Sequence, residues 1–296
     1  MTTTAESAAT APVVTTGTVV ARRPAGAYHL LSLAAPDVVA AAVPGQFVGV
    51  EVGARGALLR RPFAIADVDR SAGVLDLVIA VVGRGSAWLA QRPVSTTVEL
   101  TGPLGTGFAA PDTQTRCLLV GGGYGVAALM WLARQLLDAG HAVELISGAR
   151  SATTLYPVRP PEALVLHEVT EDGSRGRTGL VTDALVDRLD ADLPGNERQR
   201  AGGRGAEGEG ERQRAGGRGA DVFACGPMPM LAAVARVAGA RAVPCQVAVE
   251  EHMGCSVGVC MTCVVPAGRG YLRACIDGPV IDAARIDWDR VAGGGR

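Results

Sequence analysis

The sequence contains no lysine: all 28 basic residues are arginines, set against 29 acidic residues for a formal net charge of −1. So even a balance builds no basic field of the kind that nucleic acid or an anionic membrane requires, and neither is expected as a partner. The missing lysine, together with abundant Ala and Gly, reads as a coding bias rather than a functional signal. Long apolar runs are missing too. No uncharged stretch approaches the roughly 20 residues that a membrane span needs. Met1 to Pro12 lacks the basic start and apolar centre of a secretory signal, so a cytoplasmic protein is expected. Histidine is scarce, at positions His29, His141, His167 and His252, and nothing pairs any of them with a nucleophile. Without an H-E-x-x-H, G-x-S-x-G or Walker A pattern, hydrolysis and phosphoryl transfer have no sequence support.

What is present suffices for two domains and a small appendage: 296 residues, 48% of them apolar. The seven cysteines are an odd number, which fits poorly with a disulfide framework, and four of them fall within 21 positions near the C-terminus. That clustering suggests a metal centre.

From about Val13 to Phe108, short β-branched runs alternate with Gly and Pro. The runs are Thr18 to Val20, Tyr28 to Leu33, Gln46 to Val52, Phe63 to Val68, Val74 to Val82 and Thr97 to Leu100. Their spacing predicts an antiparallel barrel, interrupted by a helix over Ser86 to Gln91. From about Thr115 the pattern becomes strands alternating with helices. Strands are expected at Cys117 to Val120, Ala142 to Ser147, Leu164 to Val169, Val222 to Ala224 and Gln246 to Val249. Helices are expected at Val126 to Asp138, Val181 to Leu189 and Met228 to Ala238, which together predict a parallel α/β sheet. The expected division is a barrel domain at 13–110, an α/β domain at 113–245 and a cysteine segment at 246–296. Within the α/β domain, residues 194–220 form a low-complexity insertion in which Arg198 to Ala206 recurs unchanged at Arg212 to Ala220. Gly, Arg and Glu alone cannot bury a core, so a disordered surface segment is expected. An Arg-Gly RNA-binding role is the alternative, weakened by the lack of aromatics.

The strongest chemical signal is Cys255-Ser-Val-Gly-Val-Cys260-Met-Thr-Cys263, followed after eleven residues by Cys275. This C-x4-C-x2-C…C spacing is that of plant-type [2Fe-2S] ligation. Zinc also favours four cysteines, but usually as paired C-x2-C knuckles, whereas the first gap here is four residues. A second signal is Gly121-Gly122-Gly123-Tyr124-Gly125, after a strand and before a helix. Glycine lets a backbone approach a pyrophosphate there, although a tight turn alone would also need it. Cys225-Gly226-Pro227 ends a later strand and should face the same crevice, or else be a buried cysteine before a turn. Cys117 and Cys245 are expected to be small core residues. In the barrel, Arg60-Arg61-Pro62-Phe63-Ala64 and Gly83-Arg84-Gly85-Ser86 suit phosphate contacts through guanidinium and helix-start N–H groups. They read equally as a solvated strand end and a hairpin turn.

Taken in order, these motifs resemble the ferredoxin-reductase superfamily, and more narrowly the electron-transfer subunit of class 1B dihydroorotate dehydrogenase. The resemblance runs from about Val13 to Asp289, apart from the insertion. It implies FAD between barrel and sheet, NAD over the sheet, and a cluster facing an FMN-containing catalytic subunit, in a heterotetramer serving pyrimidine synthesis. Arg61, Pro62, Phe63 and Ala64 would then flank the flavin, and Gly83, Gly85 and Ser86 would hold FAD phosphate. Gly121, Gly122, Gly123, Gly125, Cys225, Gly226 and Pro227 would bracket the nicotinamide nucleotide. The resemblance also implies two departures. Ala64 stands where the family often has Ser or Thr near the flavin, and Ser256 stands for a frequent Gly, a change tolerated if its φ stays negative. Chemically, nicotinamide moves two electrons as hydride and a cluster takes one at a time, so a flavin between them is needed. A related NAD(P)H-dependent flavin subunit of a hydrogenase, sulfite reductase or transhydrogenase-like assembly would share all these motifs. A zinc scaffold whose glycine loops are merely turns is the non-redox alternative.

Overall fold

A computed structural model describes residues 11–53, 57–191 and 219–293. The N-terminal strands β1 (Val13–Ala25), β2 (Tyr28–Ala34), β3 (Phe47–Val50), β4 (Arg61–Asp69), β5 (Val74–Ile79) and β6 (Thr97–Leu104) close into an antiparallel barrel of order β1-β2-β5-β4-β3-β6. Period-two alternation drives the closure. Along β5, Leu75, Leu77 and Ile79 are fully buried while their neighbours are only partly covered. Leu31, Leu33, Ile65 and Leu100 fill the same interior from the facing strands. Two short helices, α1 (Pro36–Ala41) and α2 (Arg84–Ala90), lie between strands. Strand β1 is much longer than the Thr18 to Val20 run that announced it. Its ends carry Thr and Arg, which hide a strand from a hydrophobicity pattern but still pair with β6 and β2.

The second half supplies β7 (Arg116–Gly122), α3 (Gly125–Asp138), β8 (Ala142–Ala149), β9 (Val165–Thr170), β10 (Arg177–Thr178), α4 (Val181–Asp190), β11 (Asp221–Cys225), α5 (Met228–Gly239) and β12 (Cys245–Ala248). The tail adds a hairpin of β13 (Val264–Ala267) and β14 (Gly270–Arg273), then β15 (Val280–Asp282). The sheet order is β10-β9-β8-β7-β11-β12-β15, parallel except for β15, which closes one edge antiparallel to β12. The order reverses at β7, which has β8 on one side and β11 on the other. The crevice beyond the carboxyl ends of β7 and β11 is therefore the place where such sheets bind ligands. Cys117 and Cys245 are buried core residues, as expected.

Helix α3 is buried nearly all round because it sits between the layers. Leu129 and Leu132 pack on the sheet, Trp131 enters the barrel core, and Arg134 pairs with Asp67 of β4. The tail is tied to both layers. Gln246 exchanges two hydrogen bonds with the backbone of Ala109, at 2.9 and 2.8 Å, and Thr106 donates from its N–H to Gly278 and from its hydroxyl to Val280. The expected boundary at 245/246 falls inside β12, and β15 of the tail belongs to the sheet. Most of the expected insertion lies outside the described residues. Its last residue, Ala220, is 3% exposed and packs in the sheet core, so the expected surface segment does not include it.

Candidate functional site

A cleft of about 560 Å³ runs between barrel and sheet, within the size range of cofactor pockets. Strand β4 contributes one wall through Arg61, Pro62, Phe63 and Ala64, and the start of α2 contributes Gly83, Arg84, Gly85 and Ser86. The opposite wall is the sheet crevice, with Tyr124, Gly125, Cys225 and Gly226. The barrel motifs at 61–64 and 83–86 thus face the sheet motifs at 124–125 and 225–226, as the barrel and the strand reversal require. Gly121, Gly122, Gly123 and Pro227 do not line the cleft; they shape the turns behind it. Residue 125 has to be glycine, since a Cβ there would lie 2.5 Å from the carbonyl oxygen of Cys225.

The two adjacent arginines separate by partner. Arg60 is engaged on the barrel surface by Glu99 and Glu51. Arg61 turns into the cleft and donates to the carbonyl of Leu59 at 2.6 Å. It lies so close to Gly85 that a Cβ at 85 would sit 3.2 Å from its Nε. The Ser86 hydroxyl is occupied by its own loop: it accepts from the N–H groups of Val82 and Gly83 at 3.0 and 3.1 Å and donates to the Gly83 carbonyl at 3.0 Å. Ser86 therefore shapes the loop with its side chain. What the loop can offer an anion is the set of N–H groups at the start of α2, which have no partner within the helix. Ala64 is exposed into the cleft and brings no donor.

Sequence reasoning gave no role to Tyr124, although it stands inside the glycine loop, nor to Glu250 and Met253, which precede the cysteine run. Tyr124 donates its hydroxyl to the carboxylate of Glu250 and packs edge-on against Tyr28, with centroids 5.8 Å apart. Burial and then the Glu250 hydrogen bond push the Tyr124 phenol well above its ordinary range. Burial likewise pushes the Cys225 thiol up to about 12, which keeps it neutral. Met253 lies in the cleft wall two residues before Cys255, and Pro279 lies there four residues after Cys275.

The four expected ligands gather in the tail as free thiols. Cys263 and Cys275 are buried, with their sulfurs 3.3 Å apart. The Cys255 sulfur accepts from the N–H groups of Val257, Val259 and Cys260 at 3.3 to 3.5 Å, so the loop wraps its amides around it. Contacts from the Thr262 hydroxyl, the Thr262 amide and Cys255 hold the Cys260 thiol down at about 6, which favours the ligating thiolate. Burial pushes Cys275 up to about 12, and a bound metal would deprotonate it outright. Among the described residues, no three Cys, His, Asp or Glu side chains converge as a single ion requires. Cys263 and Cys275 form one close pair, and the Cys260 amide donates to the Cys255 sulfur in the other half of the group. The substitution at Ser256 was expected to be tolerated only at negative φ, and that condition is not met: its φ is +62°.

Two family patterns match the chain: the oxidoreductase FAD-binding domain over residues 26–108, and the iron-sulfur cluster binding domain of dihydroorotate dehydrogenase B over 250–287. The electron transfer subunit of dihydroorotate dehydrogenase B (NAD(+)) from Geobacillus kaustophilus is 37% identical over 252 residues, covering 82% of this chain and 86% of that protein. Its counterpart from Desulforamulus reducens is 32% identical over 270 residues, covering 88% and 93%. Among solved structures, an NADH-dependent reduced ferredoxin-NADP oxidoreductase superposes with a TM-score of 0.76 at 29% identity, over 94% of this chain and 91% of that one. A ferredoxin reductase of carbazole 1,9a-dioxygenase shares the fold, with a TM-score of 0.61 at 24% identity over 79% and 67%.

Proposed function

The chain belongs to the family of electron transfer subunits of dihydroorotate dehydrogenase B, and from that premise we propose that it takes electrons from a dihydroorotate-oxidising partner and delivers them to NAD+. It is an oxidoreductase subunit of FAD, an iron-sulfur cluster and NAD. The observation that carries the reading is the continuity of cleft and cysteine loop, because Met253 and Pro279 line the cleft and lie within four residues of Cys255 and Cys275.

The bound flavin supplies the exchange between hydride, which carries two electrons, and the cluster, which carries one at a time. The remaining work is the chain's own. Arg61 offers its guanidinium to the FAD pyrophosphate. Gly83 and Gly85 let the backbone come close, Ser86 fixes the loop, and the amides at the start of α2 face phosphate. Pro62, Phe63 and Ala64 flank the flavin on the barrel side. Gly125, Cys225 and Gly226 bracket the nicotinamide nucleotide at the strand reversal, on turns shaped by Gly121, Gly122, Gly123 and Pro227. Cys255, Cys260, Cys263 and Cys275 hold a [2Fe-2S] cluster. The partner is the catalytic subunit, which bears FMN and performs the orotate chemistry, in a cytoplasmic heterotetramer. No described helix is long and apolar enough to cross a membrane.

The test is to isolate the complex anaerobically, add dihydroorotate and follow NAD+ reduction. Turnover that disappears in Cys260→Ser supports the relay and the cluster's place in it. The likeness to the ferredoxin-NADP oxidoreductase favours a second reading, a related NAD(P)H-dependent flavin subunit with a different partner. Flavin and iron without dihydroorotate-driven turnover would favour that second reading.

A further inference from the structure

Ser256 combines two features that are each unfavourable in the protein by itself. Its φ of +62° places a side chain in the left-handed region, where glycine carries no penalty and other residues do. Its hydroxyl is also buried and has no hydrogen-bond partner among the described residues. A buried hydroxyl without a partner is destabilising, so native structures rarely keep one unless a ligand or water completes it. The residue is 2% exposed, as buried as the expected ligands Cys263 at 2% and Cys275 at 0%. It follows Cys255 directly, on the stretch whose amides from Val257, Val259 and Cys260 already point at the Cys255 sulfur. The hydroxyl thus stands next in sequence to an expected ligand, is buried, and lacks an acceptor within the described chain.

Resting on the reading of the four cysteines as cluster ligands, we propose that the Ser256 hydroxyl donates a hydrogen bond to a sulfur of the [2Fe-2S] cluster and so raises the cluster's reduction potential. Electron density on the sulfurs grows when the cluster is reduced, so a donor aimed at them stabilises the reduced state more than the oxidised one. Glycine at 256 would relieve the backbone but forfeit the donor. Serine accepts the strained φ and retains it.

The experiment is a potentiometric titration of the anaerobically purified full chain, followed by electron paramagnetic resonance, with iron and acid-labile sulfide measured on each preparation. In Ser256→Ala, which keeps the Cβ and loses only the hydroxyl, the reduction equilibrium of the cluster should fall about tenfold, about 59 mV for one electron. Ser256→Thr should return it towards the wild-type value. Ser256→Gly should lower it as alanine does while raising the stability of the metal-free protein, and it serves as the loaded variant if alanine fails to take up iron. An exchangeable-proton hyperfine coupling in the reduced wild type should be missing from the alanine and glycine variants. A wild type rich in iron and sulfide whose potential matches that of Ser256→Gly and Ser256→Ala would overturn the proposal alone. A wild type with no iron or sulfide would overturn the cluster assignment with it.

Discussion

At Glu144, in β8 at the end of the sheet away from the cleft, one carboxylate takes hydrogen bonds from Arg116, Arg188 and His167, at 2.6, 3.1 and 2.8 Å. Burial alone would raise its pKa, but the hydrogen bonds from the two arginines and the histidine outweigh burial and hold the carboxyl at about 2 instead of 4.5. A folded-state pKa below the unfolded one gives stability that is complete above about pH 4.5 and is lost as pH falls towards 2. Glu144→Gln should cost about 2 kcal/mol at neutral pH, after allowance for solvent screening, and should flatten the acid limb of the stability curve. Chemical denaturation repeated from pH 7 down to 3 measures both effects. At this scale the sequence was most legible where chemistry demands a residue type at a fixed spacing, as with the four cysteines. It was least legible where a neighbour in space decides the role. Arg60 and Arg61 read alike until Glu51 and Glu99 are seen to claim the first. Tyr124 acquires a partner only because β12 brings Glu250 beside it. The sign of φ at Ser256 is set by a loop closing on its own sulfur, which no local pattern announces.

Among the elements, those visible in advance bury apolar runs or stripes, β5, β7, β8, α3, α4 and α5 most plainly. The strands that went unseen, β10, β13, β14 and β15, are two to four residues long, too short to show a period, and they exist because a neighbouring strand offers an edge. The meeting of α3 with β11 is the sharpest test at this level. Its first residue, Gly125, touches backbone atoms of Cys225 and Gly226, which cannot step aside as a side chain can. Gly125→Ala should push the α3 start away from β11, destabilise the fold by roughly 1–3 kcal/mol, and loosen FAD in the cleft that Gly125 lines. Thermal unfolding together with FAD retention on gel filtration reads the two effects.

In the whole molecule, a barrel and a parallel sheet share the cleft, and the tail joins both through Gln246, Thr106 and β15. The alternation of patterns along the chain foretold the two layers. Their mutual placement came from contacts far apart in sequence, such as Trp131 in the barrel core and Arg134 on Asp67. In the proposed reading the electrons then have a short passage from the sheet side of the cleft, past its barrel wall, to Cys255 and Cys275, since Met253 and Pro279 of the lining lie within four residues of them. The central claim is that one chain carries that whole passage, and an anaerobic NADH titration of the isolated full chain, followed by visible and electron paramagnetic resonance spectra, tests it most directly. The account predicts that NADH bleaches the flavin and then develops the one-electron signal of a reduced [2Fe-2S] cluster, while Cys260→Ser keeps the bleaching and loses the signal. A wild-type chain whose flavin bleaches while an intact cluster stays oxidised, or one that holds zinc in place of iron and sulfide, would contradict it.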